Sequence, residues 1–366
     1  MRHFQIAVFP GDGIGPEVMR PCLALLDAAA ARTGGFSLVY TSFDAGADTY
    51  RRTGTALPPE AIRGAEAADA ILLAAMGLPD VRYPDGTEIV PQVELRERFH
   101  LYAGVRPIRL LPGAPTPLGD PRAARIDCVL VRESTEGLFS ARTLSRRDGP
   151  DVVMDTLRVT RDTTERLCEF AFGLASRRRA AGHVGRVTCV DKANVLPSMA
   201  FFRSIFLEVA SRHPDIAADC QYVDAMALRL VRTPWELDVL VTENMFGDIL
   251  SDLGAGLIGG MGMAPSADIG DRHAVFQPCH GTAPDIAGRG IANPTAMFLS
   301  AAMMLDWLGE RHGVEACRVA SRDVAGAVER VFAGGRVTPV DLGGAAGTRA
   351  VFDAVLHELT CPSATG

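Results

Sequence analysis

The chain has 366 residues, of which 48% are hydrophobic, and its formal net charge is -7. This length allows two domains of ordinary size with a substantial core, so we expect a globular protein. Basic residues are scattered along the chain, which indicates neither a nucleic-acid groove nor a polybasic membrane patch.

The N-terminus and the apolar segments carry no signal for export or for a membrane span. Met1 leads directly into a predicted strand, and the longest apolar run, residues 296–305, is about half of the ~20 residues that a span needs. The 8 cysteines include no CxxC pair, so we expect reduced core residues rather than disulfides or a zinc site. These features predict a cytoplasmic protein.

Short β-branched runs alternate along the chain with longer stretches of helical periodicity. The predicted strands include residues 5–9, 70–76, 126–133, 185–191 and 237–244, and the clearest predicted helices are 16–31 and 163–178. This alternation is typical of an α/β protein with a mostly parallel sheet.

Proline and glycine cluster at residues 106–124 and again at 253–270, and apolar residues continue through both segments. Such segments indicate crossings between domains rather than disordered linkers. A chain that leaves one domain at the first crossing and returns at the second predicts a discontinuous larger domain and an inserted smaller one. We place the larger domain at residues 1–102 and 260–366 and the smaller domain at residues 103–259.

Carboxylates in two segments indicate a cation site. Asp248 and Asp252 lie four residues apart, so on a helix they share one face and repel each other unless a cation lies between them. Asp224 has apolar neighbours, which indicates that it is not merely solvated. Oxygen ligands of this kind suit Mg²⁺ or Mn²⁺ rather than zinc. Capping of helices or pairing with arginines is the alternative interpretation.

Three arginines lie in apolar contexts where a surface cation would be out of place: Arg96, Arg106 and Arg132. Guanidinium groups bind carboxylates through two parallel hydrogen bonds, so arginines that converge imply a di- or tricarboxylate ligand. Taken singly, each arginine is better accounted for by a structural ion pair.

Lys192 is the one lysine of the chain, because all the other residues in the total of 37 lysines and arginines are arginines. Arginine stays protonated at ordinary pH, whereas a lysine can be tuned to give up and take a proton. The position therefore predicts a chemical role, with chance as the alternative.

Two glycine-rich segments resemble nucleotide-binding loops. FPGDGIGPE, residues 9–17, has GxGxG spacing and is a weak dinucleotide fingerprint, so a plain tight turn is the simpler interpretation. CHGTAPDIAGRGIANP, residues 279–294, is a longer loop ahead of a helix. Its backbone can approach a ligand, and an acid within it can hold ribose hydroxyls.

Seven segments occur in order along nearly the whole chain: GDGIGPE, LRERFHLYAGVRP, VRESTEGLF, VDKANV, VDAMA, ENMFGDILSDLGAG and HGTAPDIAGRGIANP. Together they resemble the metal-dependent β-decarboxylating dehydrogenases, the family of isopropylmalate, isocitrate, homoisocitrate, tartrate and D-malate dehydrogenases. The resemblance implies a two-domain α/β fold of the isocitrate/isopropylmalate dehydrogenase type, unlike a Rossmann domain. It also implies an active site in the interdomain cleft and a homodimer whose smaller domains pair.

The resemblance implies a role for each matching charged residue. The three arginines would hold the substrate carboxylates. Asp248 and Asp252 would bind Mg²⁺ or Mn²⁺ together with Asp224 of the partner subunit. Lys192 of the partner subunit would take the proton of the substrate's C2 hydroxyl as hydride passes to NAD, which makes the dimer obligatory for catalysis.

The resemblance also implies a cofactor site for NAD around the second glycine-rich loop. Asp285 in that loop would select NAD over NADP. The residues assigned to NAD are His280, Gly281, Thr282, Ala283, Pro284, Asp285, Ile286, Asn293 and Asn194.

The chain departs from the family at two places. Phe139 stands where a tyrosine usually protonates C3 after CO₂ is lost, so we expect another donor, such as Lys192, Tyr102 or water, or a reaction that stops at the keto acid. Gln92 and Val93 occupy the positions that discriminate substrates. They match neither the leucines of isopropylmalate enzymes nor the serine and asparagine of isocitrate enzymes.

We therefore expect NAD- and metal-dependent oxidation of a malate-type 2-hydroxy acid, with decarboxylation, nearest in pattern to isopropylmalate dehydrogenase. Oxidation of tartrate or D-malate is the alternative that the polar Gln92 favours, and an isocitrate-type activity is also open. A non-catalytic regulatory subunit is the alternative from a different class, although the lysine and all three aspartates are kept.

Overall fold

A computed structural model describes residues 1–361, apart from the side chain of Thr143. The strands are β1 (Arg2–Gly11), β2 (Phe36–Ser42), β3 (Ala70–Ala75), β4 (Ala103–Arg109), β5 (Asp127–Glu133), β6 (Arg146–Asp148), β7 (Val152–Met154), β8 (Arg186–Asp191), β9 (Ala217–Tyr222), β10 (Val239–Thr242), β11 (Pro265–Ile269) and β12 (Ala274–Pro278). The helices are α1 (Gly15–Thr33), α2 (Ala47–Thr53), α3 (Pro59–Ala67), α4 (Pro91–Arg98), α5 (Gly137–Ser140), α6 (Arg161–Ala180), α7 (Pro197–Ala210), α8 (Val223–Arg232), α9 (Asn244–Leu257), α10 (Thr295–His312), α11 (Glu315–Ala333) and α12 (Thr348–Thr360). The predicted strands and both predicted helices are confirmed.

Ten strands form one sheet in the order β2-β1-β3-β12-β11-β4-β5-β10-β8-β9, and β6 pairs with β7 in a separate hairpin. The four strands at one end are parallel to each other, and so are the four from β5 to β9. Antiparallel pairs of β12 with β11, β11 with β4 and β4 with β5 join the two blocks. The prediction of a mostly parallel sheet is therefore confirmed, with an antiparallel centre.

The two faces of the sheet are covered differently. On one face, alternate residues such as Val105, Val131 and Phe276 belong to a single core that runs under both blocks. On the other face there are two separate clusters, one that contains Leu130 and one that contains Leu73. Since successive residues of a strand point to opposite faces, every second residue of the central strands points into the gap between these two clusters.

The predicted domain boundaries fall just before β4 and between α9 and β11. Both lie where the chain enters or leaves the antiparallel centre of the sheet. The sheet continues through this centre, so the division into residues 1–102 with 260–366 and residues 103–259 stays a prediction. Among the described residues, none of the helices combines the length and the apolar character needed to cross a bilayer.

Candidate active site

A cleft of about 870 Å³ opens over the antiparallel centre of the sheet, between the two separate apolar clusters. Its floor is polar because strand alternation turns one set of side chains toward it. Arg106 of β4, Arg132 of β5 and Gln277 of β12 line the cleft, with Arg96 of α4 at one side. The three arginines predicted from sequence therefore converge on one site.

Asp268 of β11 anchors this arginine cluster, and sequence reasoning missed it. The carboxylate is fully buried and accepts hydrogen bonds from Arg96 Nε at 2.9 Å, Arg106 Nη2 at 3.0 Å and Gln277 Nε2 at 2.8 Å. The available signal was an acid at an inward position of an otherwise apolar strand, in the segment PSADI.

The charges of the cluster shift one another's pKa values. Burial opposes ionisation of Asp268, but Arg106, Arg96 and Arg132 hold its pKa at about 2. Burial together with the neighbouring Arg96 charge lowers the pKa of Arg132 to about 10. Arg96 and Arg106 share one carboxylate and Arg132 pairs with Asp248, so the remaining N–H groups of the three arginines suit an anion with more than one carboxylate.

The arginines form structural ion pairs and also keep N–H groups with which they can bind a ligand. Arg96 donates to Asp268 through Nε, and its hydrogen bonds to the described residues involve no other atom of the guanidinium group. Arg132 donates to Asn244 Oδ1 from Nε at 2.9 Å and from Nη2 at 2.7 Å, and its Nη1 contacts Asp248. These contacts fix the orientation of the guanidinium groups and leave some of their N–H groups free to donate to a ligand in the cleft.

Asp248 and Asp252 line the same cleft from one face of α9, as predicted. Glu243 caps this helix by accepting hydrogen bonds from the backbone N–H groups of Met245 and Phe246. Burial and the neighbouring Asp248 charge raise the pKa of Asp252. A pair of carboxylates whose mutual repulsion disfavours ionisation fits the oxygen-rich site of a divalent cation.

Asp224 and Lys192 lie elsewhere. Lys192 Nζ donates to Asp224 Oδ1 at 2.5 Å, and neither residue lines the cleft of its own chain. The Asp224 side chain is 67% exposed in the single chain, but its pairing with Lys192 means that it is not merely solvated. Within residues 1–361, no three His, Cys, Asp or Glu side chains meet as a metal-ligand set. Asn194 is exposed, two residues after Lys192, and does not line the cleft of its own chain.

The loop from His280 to Asn293 begins in the cleft, where His280 and Gly281 are part of the lining. His280 is half-buried, its Nε2 atom is shielded from solvent without a partner among the described residues, and burial lowers its pKa. Thr282 donates to Gly77 O at 2.7 Å, and Ala283 has a φ of 38°. A buried ring nitrogen without a partner is the kind of group that a bound cofactor could satisfy.

The first glycine-rich segment supports that loop. Gly13 has a φ of 58°, and a Cβ there would lie 2.1 Å from the carbonyl oxygen of Thr282, so only glycine allows this approach. Asp12 is buried and accepts hydrogen bonds from the backbone of Ala47 and Gly77. The segment is a tight structural turn, as the simpler interpretation predicted.

Glu17 of α1 holds the middle of the loop. Its carboxylate accepts hydrogen bonds from Gly288 N at 3.1 Å, Ala292 N at 3.0 Å and Thr348 Oγ1 at 2.6 Å. Burial raises the pKa of Glu17, but the hydrogen bonds from Thr348 and the loop N–H groups outweigh it, so the pKa is lowered overall. The loop conformation thus depends on the ionised form.

Glu17→Gln should loosen the loop, because the amide keeps one acceptor oxygen and turns an NH₂ group toward backbone donors. We expect faster hydrogen exchange of residues 286–292, measured by mass spectrometry, while Glu60→Gln, an exposed site on α3, should leave it unchanged. In the wild type the protection is complete above the pKa of an unfolded glutamate and is lost as the pH falls through the lowered folded value. Equal exchange in all three proteins would contradict this role.

Gln92 and Phe139 both line the cleft. Gln92 stands at the start of α4, and its Oε1 is buried without a hydrogen-bond partner among the described residues. Phe139 is 37% exposed, and the guanidinium carbon of Arg132 lies 5.7 Å from the centre of its ring. These two side chains therefore face the space that a ligand held by the arginines would fill.

A two-block α/β protein whose central cleft joins three arginines to a pair of carboxylates defines a class of enzymes that bind small polycarboxylates beside a divalent cation. The sequence profile described as isocitrate/isopropylmalate dehydrogenase matches residues 5–355, and the chain belongs to that family.

Relatives of known description span nearly the whole chain. A 3-isopropylmalate/3-methylmalate dehydrogenase from Methanocaldococcus jannaschii is 43% identical over 93% of this chain and 94% of its own. A probable tartrate dehydrogenase/decarboxylase from Agrobacterium vitis is 39% identical over 98% of both chains. The crystal structure of isocitrate dehydrogenase from Methylococcus capsulatus superimposes with a TM-score of 0.85 at 35% identity, covering 97% of this chain and 99% of that one. The predicted fold class is confirmed.

Proposed function

We propose that the protein is an NAD- and divalent-metal-dependent dehydrogenase that oxidises a malate-type 2-hydroxy acid and releases CO₂. The observation that carries the proposal is the convergence of three arginines with Asp248 and Asp252 in one cleft. The arginines would bind the carboxylates of the substrate, and the aspartates would hold the cation next to them. The names of the relatives, which include 3-isopropylmalate and tartrate dehydrogenases, support the same class of substrate.

The cation would bind Asp248 and Asp252 of one subunit and Asp224 of the partner subunit. When bound, Mg²⁺ or Mn²⁺ lowers the pKa of a hydroxyl that it contacts and stabilises an enolate, whereas NAD accepts a hydride. Arg132 would orient the site, because its guanidinium group contacts Asp248 while two of its nitrogens are held by Asn244. Cation binding would be favoured because the cation removes the repulsion between the Asp248 and Asp252 carboxylates.

The dimer would bring Lys192 and Asp224 into the neighbouring cleft. In the single chain both residues are paired outside the cleft, so they cannot serve their own site without a large rearrangement. The helices that flank this region, α8 and α9, contact each other and expose Leu228, Val231 and Ile249. An exposed apolar surface of this kind supports an interface between two copies of the chain.

Lys192 would act as the general base. Its amine would accept the proton of the C2 hydroxyl, directly or through water, as the hydride leaves C2. The Asp224 carboxylate, 2.5 Å from Nζ, holds the amine in place. Loss of CO₂ from the resulting β-keto acid leaves a carbanion at C3 that needs a proton. Phe139 carries none. Tyr102 does not line the cleft, and its hydroxyl donates to Asp271 at 2.9 Å, so the donor would be Lys192 or water.

NAD would bind along residues 280–286 and 293. The exposed Asp285 would accept hydrogen bonds from the ribose hydroxyls and repel the 2′-phosphate of NADP. Asn293 is held at the end of the loop, where its Oδ1 accepts from Thr295 N at 3.1 Å and its Nδ2 donates to Asp341 at 3.2 Å. Asn194 of the partner subunit would approach the cofactor beside Lys192.

The test is NAD(P) reduction by the purified protein with Mn²⁺ on 3-isopropylmalate, isocitrate, D-malate and tartrate, with CO₂ recorded in parallel. Turnover with NAD and stoichiometric CO₂ supports the proposal and names the substrate. NADH without CO₂ would mean that the reaction stops at the keto acid because of Phe139, and Phe139→Tyr should then restore decarboxylation. Absence of turnover on every acid would favour a regulatory subunit.

Oxidation of tartrate or D-malate is the second candidate. The orphaned Oε1 of Gln92 lines the cleft and is an acceptor that the second hydroxyl of tartrate could satisfy, whereas the CH₂ of D-malate or an isopropyl group could not, so this observation favours tartrate. Substitution of Gln92 by leucine should then lower kcat/KM for tartrate and raise it for 3-isopropylmalate.

Metal binding gives a prediction that does not depend on turnover. Asp252→Asn should raise the Mn²⁺ concentration needed for half-saturation at least about tenfold, because a neutral amide replaces a proposed ligand. The free Mn²⁺ signal in electron paramagnetic resonance measures binding directly. Asp353→Asn, which removes an exposed carboxylate paired with Arg349, is the matched control and should leave the titration unchanged. Identical titrations of both variants and the wild type would exclude Asp252 as a ligand.

A further inference from the structure

Two cysteines face each other on β8 and β9, the pair of strands at one edge of the sheet. These strands lead to Lys192 and Asp224. Cys189 in β8 and Cys220 in β9 are direct partners in the parallel register, so their side chains point to the same face of the sheet. Cys189 is buried and Cys220 is half-buried. The two cysteines lie on different strands, so a search of the sequence for CxxC pairs does not find them.

The separation of the strands suits a disulfide. Neighbouring strands lie about 4.8 Å apart, and disulfides join residues whose Cα atoms are about 4.4–6.8 Å apart. The Cβ atoms of a disulfide, however, lie only about 3.5–4.5 Å apart, so the two strands must move closer where the bond forms. β9 can move, because it is at the end of the sheet and pairs with β8 alone.

The surroundings make the two thiols chemically different. A hydrogen bond from Cys189 lowers the pKa of Cys220 against the effect of burial, and the nearby Arg203 charge lowers it further. Burial raises the pKa of Cys189, whose thiol also lies 3.5 Å from Asp191 Oδ2. The half-buried cysteine with the lower pKa is the one suited to react first, and its buried neighbour is placed to resolve the product.

We propose that Cys189 and Cys220 are an oxidation site, a dithiol that a peroxide converts into an intrachain disulfide. The Cys220 thiolate attacks one oxygen of hydrogen peroxide and breaks the O–O bond, which gives a sulfenic acid and, with a proton, one water. The Cys189 sulfur then attacks the sulfenic sulfur, and the displaced hydroxyl leaves with the Cys189 proton as a second water. Two thiols are oxidised and one peroxide is reduced.

The disulfide acts on the catalytic pair through the strands. Lys192 follows Cys189 by three residues, and Asp224 follows Cys220 by four. Tyr222 lies between Cys220 and Asp224 in the chain, and its ring centre is 5.8 Å from Lys192 Nζ and 5.0 Å from the guanidinium carbon of Arg203. Drawing β9 toward β8 shifts Tyr222 and Asp224 relative to Lys192. Oxidation therefore lowers turnover, a consequence that rests on the proposed function, whereas the disulfide itself does not.

The experiment treats the full-length protein with hydrogen peroxide, alkylates the remaining thiols with N-ethylmaleimide in denaturant and digests it with trypsin without reductant. Trypsin places Cys189 in peptide 187–192 and Cys220 in peptide 213–229. We expect these peptides to appear joined, two hydrogen atoms lighter than their sum, and to separate on reduction. Cys220→Ser should abolish the joined species, and Cys361→Ser, at an exposed site, should leave it.

The outcomes distinguish the parts of the proposal. Alkylated Cys189 beside a sulfinic or unmodified Cys220, or Cys220 joined to another cysteine, would overturn the oxidation site. A joined species with an at least about tenfold loss of turnover, reversed by reductant, supports both the site and its effect on Lys192. Joined peptides together with undiminished turnover would overturn the proposed effect of the disulfide on Lys192, while the oxidation site itself would be supported. A protein that turns over no substrate when reduced still gives the mass-spectrometric result, so failure of the proposed function is recognised separately.

Discussion

Lys192→Arg should lower kcat about a thousandfold for the substrate of the enzyme, with little change in KM. Arginine keeps the positive charge and can still pair with Asp224, but it stays protonated and cannot accept the hydroxyl proton. The substrate would still bind, because the proposed ligands of its carboxylates are Arg96, Arg106 and Arg132. Steady-state kinetics at saturating Mn²⁺ and NAD measure the effect.

Two controls separate this chemical role from a structural one. Arg349→Lys replaces an arginine by a lysine on the surface, where the Arg349 side chain is 83% exposed and pairs with Asp353. This variant should leave kcat unchanged. Lys192→Gly should be partly rescued by small primary amines, since an amine from solution can take the proton, whereas guanidine should not rescue it. A kcat of Lys192→Arg within about tenfold of the wild type would show that this lysine is not the base.

Asp268→Asn should lower the free energy of unfolding by about 3 kcal/mol, because it leaves the Arg96 and Arg106 charges buried without a counter-ion. The carboxylate is fully buried and bonds to both arginines. Denaturant titration followed by circular dichroism measures the change. Asp353→Asn, an aspartate in an exposed ion pair, is the matched control and should unfold like the wild type.

The pH dependence of this effect has a defined sign. The folded pKa of Asp268, about 2, lies below its ordinary value of 3.8. The ionised carboxylate therefore stabilises the fold fully above about pH 4, by about 2 kcal/mol on this basis, and the contribution is lost as the pH falls toward 2. The difference between wild type and Asp268→Asn should be constant near neutral pH and shrink in acid. A difference that grows as the pH falls would contradict the assignment.

The predicted elements and the true ones agree where periodicity is strong. The strand of residues 126–133 and the helix of 163–178 have their counterparts in β5 and α6. The antiparallel centre of the sheet was not foreseen, since β11 is short and β4 contains Pro107 and charged residues. The periodicity of apolar residues indicates which face of a strand is buried, but it does not indicate whether the adjacent strand runs parallel or antiparallel.

For the site, residue type and spacing identified the arginines and the aspartates of α9. Guanidinium groups in apolar segments bind carboxylates, and carboxylates one helical turn apart repel each other unless a cation separates them. Asp268 was missed because a single acid in a short strand has no pattern around it. The exposure of Asp224 could not be read from its apolar sequence neighbours, because α8 turns Met226 toward the core and Asp224 toward solvent.

The sequence by itself determined the fold class, the family resemblance and the polar groups of the candidate site, because these follow from local pattern and residue chemistry. Only the tertiary structure decided that Arg96 and Arg106 share Asp268, that Lys192 and Asp224 lie outside their own cleft, and that Cys189 faces Cys220. Each of these depends on strand order and register. Strand order and register bring together residues that are distant in the chain, and no local spacing encodes them.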